Sequence, residues 1–105
     1  MLIISSSVYS FFATPFNKSS KKGFNVILSN IPYSQKTDYG NNYPIPSNQG
    51  DSIFIQSIIL ALAKNGRCGV IVPEGFLFRR ELKNVRKYLL ENCSLNAIIS
   101  LPSGV

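Results

Sequence analysis

The sequence predicts an α/β fold built on a mainly parallel sheet, and three observations predict it. Three short apolar runs, Val26–Leu28, Cys68–Val72 and Ala97–Leu101, are continuous rather than alternating, as strands buried on both faces are. Two stretches with apolar residues at helical spacing lie between them. Each run is followed by a turn containing proline: Ile31-Pro32, Pro73-Glu74-Gly75 and Pro102-Ser103-Gly104. The resulting order, strand, helix, strand, helix, strand, is that of a parallel sheet covered on both faces, with three loop-forming carboxyl ends along one edge.

Residues 1–20 are serine-rich and mildly apolar without a clear period, and Lys18, Lys21, Lys22 and Gly23 interrupt them. The chain therefore divides into a segment 1–23 without assigned structure and a single domain over 24–105. Residues 34–50 are rich in Gly, Asn, Ser, Pro and Gln and predict a long loop, which inside a compact domain is commonly functional. Asp51 or Ser52 suits the cap of a first helix, whose apolar face is Phe54, Ile55, Ile58, Ile59 and Leu62. Gly66 suits its left-handed end. Leu82, Val85 and Leu89 define the apolar stripe of a second helix before the last strand.

Composition narrows the chemistry. The chain has 105 residues, enough for one modest core, and a net charge of +6, which favours an anionic partner. It has no histidine, which removes the usual general base and metal ligand, and two cysteines, too few for a zinc site. Cys68 lies in an apolar run and reads as a buried free thiol. No stretch resembles a signal peptide or reaches the roughly 18 apolar residues of a membrane helix, so the chain reads as cytoplasmic with no membrane partner.

One constellation can do chemistry: Asn30-Ile31-Pro32-Tyr33, just past the apolar run that ends at Leu28. An exocyclic amine on a flat ring is a poor nucleophile because its lone pair is delocalised. The Asn30 amide oxygen and a rigid backbone carbonyl of Ile31 or Pro32 can accept its two N–H bonds, freeing the lone pair. Tyr33 can stack on the ring, and a base in a duplex would first be flipped out. Asn30, Pro32 and Tyr33 are thus the candidate catalytic residues, with Ile31 as a substrate contact. The other reading of the tetrapeptide is a strand followed by an Asn-Pro turn with a packing tyrosine.

This tetrapeptide resembles the motif of adenine-N6 methyltransferases, and its surroundings resemble the modification (M) subunit of type I restriction–modification systems. The resemblance runs from Phe24 through Asp51-Ser52-Ile53-Phe54-Ile55-Gln56 and Asn65-Gly66-Arg67-Cys68-Gly69-Val70-Ile71-Val72-Pro73-Glu74-Gly75-Phe76. It continues through Arg86-Lys87-Tyr88-Leu89-Leu90-Glu91-Asn92 to Leu101-Pro102-Ser103-Gly104-Val105. Ile31 stands where the family usually has proline, and Asn25 where an Asp is common. Ribosomal-RNA adenine dimethyltransferases are similar in tolerating an aliphatic residue at the position of Ile31.

The resemblance implies a partial, truncated Rossmann-like class I methyltransferase domain acting on DNA adenine with S-adenosylmethionine. It also implies specificity, modification and restriction subunits as partners. Residues 1–23 contain neither the glycine-rich cofactor loop nor the ribose-binding acid of that family. The expectation is a piece of the enzyme, inactive and without cofactor binding alone, as a degenerate or split reading frame would give. Two rivals stand beside it: a piece of an RNA adenine methyltransferase, and a basic nucleic-acid-binding remnant without catalysis.

Three further features have two readings each. Arg79, Lys83, Arg86 and Lys87, with Arg80 at the margin, are either a solvated helix face or phosphate contacts. Glu74 either caps a turn or lines the cleft. Tyr39 and Tyr43 are either ordinary loop tyrosines or DNA contacts.

Overall fold

A computed structural model describes residues 8–15, 22–31, 36 and 40–102. These form a mixed α/β unit around one four-stranded sheet. Strand β1 spans Val8–Pro15, β2 Phe24–Asn30, β3 Leu62–Pro73 and β4 Cys93–Ser100. Helix α1 spans Gly50–Ala61, the single-turn α2 Glu74–Phe78 and α3 Lys83–Asn92, with short 3-10 turns at Gly40–Asn42 and Arg80–Leu82.

The strand order is β2-β3-β1-β4. β2 pairs with β3 in parallel, while β1 runs antiparallel to both β3 and β4. The three expected strands therefore point the same way, but only β2 and β3 are direct parallel neighbours. β1, from the stretch without a sequence assignment, is inserted between β3 and β4. Its Phe11 and Ala13 are buried, and Phe12, between them, is exposed on the opposite face. The adjacent aromatics Phe11-Phe12 hide this alternation from a periodicity reading.

The expectation of a sheet covered on both faces is corrected. Both crossovers step in the same direction across the sheet, and right-handed connections then lay their helices on one side. α1 and α3 pack against each other accordingly. That face holds the core: Phe11, Ile55, Leu62, Val70, Val72, Phe76, Leu82 and Val85 are each at most 2% exposed. The Phe11 and Phe76 rings stack with centroids 6.2 Å apart. On the other face the described residues leave apolar side chains bare, with Leu28 76%, Val26 54% and Phe12 38% exposed.

The element ends also move. α1 stops at Ala61, and β3 begins at once, so Asn65-Gly66 lies within the strand rather than closing a helix. Asn65, not Gly66, takes the left-handed conformation (φ 63°). Gly66 is required by crowding: a Cβ there would lie 2.8 Å from the Phe24 carbonyl oxygen, where β2 and β3 shift register. The two thiols are kept apart, since Cys68 pairs with Ala13 and Cys93 with Pro15 on opposite sides of β1. Two strand spacings, about 9–10 Å, exceed the reach of a disulfide.

Candidate functional site at the carboxyl edge of the sheet

Asn30 is the last residue of β2 and is exposed. It pairs with Ile71, which pairs with Ser10, which pairs with Ile99, so these four form one row across the sheet. Val70, Val72 and Phe11 fill the core from the same strands, so alternation puts this row on the open face. The carboxyl ends of β2, β3 and β4 share this edge, as a ligand site in an open α/β sheet requires.

Ile31 follows with its side chain 2% exposed in the core and its N–H donated to the Ile71 carbonyl at 3.4 Å. A residue anchored at both side chain and backbone fixes the direction in which its exposed neighbour projects. From such a position the Asn30 amide oxygen can accept an N–H bond. Pro32 and Tyr33 lie outside the described residues, as do Tyr39 and Ser103–Val105.

The amino end of α1 meets the same edge. Gln49, not Asp51 or Ser52, holds the cap position, and it makes no side-chain cap bond. Ser52 and Asp51 fall in the first turn and are buried, at 0% and 2% exposure. Among the described residues neither carboxylate oxygen of Asp51 has a hydrogen-bond partner.

Gln56, fully buried, ties the long loop to this helix. Its Oε1 accepts from Ile45 N–H (2.8 Å), and its Nε2 donates to Ile45 O (2.9 Å) and to Ser52 Oγ (3.0 Å). Ser57 donates to the Tyr43 hydroxyl at 2.8 Å, so Tyr43 is partly engaged within the fold. Sequence reading passed over Gln56, although a lone amide inside the apolar run Ile53–Ile59 is its visible signal.

The basic residues divide. Arg79 donates to Gln49 Oε1 (3.3 Å) and to Glu81 Oε2 (3.1 Å), and Arg86 donates to the carbonyls of Phe76 (3.0 Å) and Arg79 (2.7 Å). These two guanidinium groups hold the turn between α2 and α3. Arg80, Lys83 and Lys87 are exposed. A hydrogen bond from its own backbone N–H, then Arg79, lowers the Glu81 carboxyl below its ordinary range. Glu74 sits half-buried in the first turn of α2.

The arrangement offers a rigidly based amide at a ligand edge, beside a loop stapled to a helix. A model of the N-6 DNA methylase family matches residues 7–105. The EcoEI type I restriction enzyme methylase subunit of Escherichia coli is 36% identical over 85 residues, covering 76% of this chain and 17% of that protein. The MpnII type I methylase subunit of Mycoplasma pneumoniae is 27% identical over 103 residues, covering 85% and 19%. The EcoKI type I methylase subunit of Escherichia coli K12 is 29% identical over 83 residues, covering 76% and 16%. The chain thus spans less than a fifth of the length of these curated relatives. No solved structure matches it.

Proposed function

The chain belongs to the N-6 DNA methylase family, and we propose that it is a piece of the DNA-modification subunit of a type I restriction–modification system. In this reading residues 24–105 are part of the adenine-N6 methyltransferase domain. Asn30, with Pro32, Tyr33 and the backbone at Ile31, grips the target adenine of DNA. The carrying observation is the position of Asn30: exposed on the shared carboxyl edge, directly before an anchored Ile31.

Asn30 Oδ1 accepts one N–H of the adenine amine, and a carbonyl at Ile31 or Pro32 accepts the other. These bonds localise the nitrogen lone pair. Specificity, modification and restriction subunits are the partners this reading calls for, in the cytoplasm. Among the described residues no helix is long and apolar enough to cross a membrane.

S-Adenosylmethionine is the methyl donor the family implies, but the described residues do not fit it. Three cavities among them are mainly apolar in lining. One lies between β2 and α1, one on the open face around Phe12, Leu28 and Gly69, and one beside Leu89 and Ile98. Gly23, with φ 125°, precedes β2 at the opposite edge. The isolated chain is therefore proposed to hold the base and to transfer no methyl group.

The test replaces the matched stretch of the EcoEI methylase subunit with this chain and follows methyl incorporation into DNA adenine. The reading predicts incorporation by the chimera, assembled with its specificity subunit, and none by the chain alone. A chimera that folds and binds DNA but leaves adenine unmethylated would refute it.

A further inference from the structure

The carboxyl ends of β2 and β3 are cross-tied through one guanidinium group. Ile31, just past β2, is bonded to β3 through the Ile71 carbonyl. Lys36, five positions later in the sequence, pairs its backbone antiparallel with Gln49. The segment that leaves Asn30 therefore has two fixed points, Ile31 and Lys36.

Gln49 stands directly before α1, where Ser, Thr, Asp or Asn would accept the first helical N–H groups. The Gln49 side chain makes no such bond. Its Oε1 accepts instead from Arg79 Nη2 at 3.3 Å, a residue 30 positions away. Its backbone is fixed as well. The N–H donates to Ser47 Oγ at 3.0 Å, and the carbonyl accepts from Ile53 N–H at 3.3 Å.

Arg79 is itself held for that reach. Its N–H donates to the Gly75 carbonyl at 2.8 Å, and its carbonyl accepts from Arg86 Nη1 at 2.7 Å. Its stem lies across Gly75, where a Cβ would come within 2.7 Å of Arg79 Cδ. The same Nη2 donates to Glu81 Oε2 at 3.1 Å, so the two hydrogens of one nitrogen serve two acceptors.

We propose that Arg79 is a positioning residue for the adenine grip, acting through the Gln49 side chain and the Gln49–Lys36 pairing on the segment that leaves Asn30. The proposal rests on the adenine reading of Asn30. A loose segment would have to be ordered each time a base arrives, whereas a tied one offers its backbone acceptor already in place. The tie brings no group to the reacting atoms. Its loss therefore falls on turnover rather than on DNA binding.

Hydrogen exchange in the full chain tests the tie itself. In Arg79→Met, Gln49→Met and Gly75→Ala, the amides at the Lys36–Gln49 pairing should exchange at least about 5-fold faster, with the amides of α3 unchanged. Unchanged exchange at that pairing in all three variants would overturn the proposal. So would an equal rise throughout α3, which marks general loosening.

Turnover is read in the EcoEI chimera, beside Asn30→Ala. Gln49→Met and Arg79→Met should each lower kcat about 10-fold and move KM for DNA less than about 2-fold. The double variant should be no worse than either single one, because both break the same bond. Gln49→Glu, which keeps an acceptor for the guanidinium, should recover most of what Gln49→Met loses. Additive losses, or a loss confined to KM, would overturn the proposal. An inactive Asn30→Ala beside methionine variants at parental kcat would overturn the tie alone. Parental activity in Asn30→Ala would overturn the adenine reading and the tie with it.

Discussion

The two faces of the sheet differ more than their shared strands suggest. On β3 and β1, Val70, Val72, Phe11 and Ala13 are sealed beneath helices, while one residue away Phe12 is exposed on the opposite face. On β2, Val26 and Leu28 lie bare on that same face. Neighbouring residues of similar hydrophobicity thus have different duties. The helix face supplies the folding free energy. Among the described residues the open face leaves apolar side chains bare that the helix face would bury.

Core substitution tests this contrast with the largest effect. Phe76→Ala removes a fully buried ring stacked on Phe11 and should cost about 3–5 kcal/mol in urea unfolding. Leu28→Ala, on the open face, should cost under about 0.5 kcal/mol. A Leu28→Ala loss as large as that of Phe76→Ala would mean the open face is covered.

Gln56→Leu comes next. It strands Ile45 N–H and C=O and releases the loop from α1, at about 1–3 kcal/mol. Faster hydrogen exchange of the Ile45 amide checks it.

Asp51→Asn should act in the opposite direction. Replacing a buried carboxyl that has no hydrogen-bond partner among the described residues should stabilise the chain by about 1–2 kcal/mol, read as a higher melting temperature. A loss would show that Asp51 is satisfied within the fold.

The smallest effect is alkaline. Burial raises the Cys68 thiol above its ordinary range, partly offset by a backbone hydrogen bond with Ala13. A raised folded-state value contributes stability that is complete below the unfolded thiol's value of about 8.5 and fades as pH rises through the folded one. Stability should therefore fall above about pH 8.5, and Cys68→Ala should flatten that fall.

The order of elements from Phe24 onward was legible because continuous apolar runs and helical spacing persist there. Leu82, Val85 and Leu89 are buried as a stripe, as their spacing predicts. β1 was not legible, because a central strand in the middle of a sheet needs partners that local sequence does not name. The break of the stretch 74–92 into α2, a 3-10 turn and α3 was hidden for a related reason. Arg86 stabilises it through carbonyls of Phe76 and Arg79, at seven to ten residues' separation. At the candidate site, the place of Asn30 at the end of β2 was legible from the apolar run that ends at Leu28. Asp51 was visible only as a cap, and its burial arises from packing.

In the proposed function the acceptor oxygen at Asn30 holds the adenine amine. Methyl incorporation into DNA adenine by the EcoEI chimera, comparing the parent with Asn30→Ala and Asn30→Asp, tests it most directly. Asn30→Ala should lose at least about 100-fold, with DNA binding retained, and Asn30→Asp, which keeps an acceptor oxygen, should lose much less. Equal activity in Asn30→Ala and the parent would contradict it.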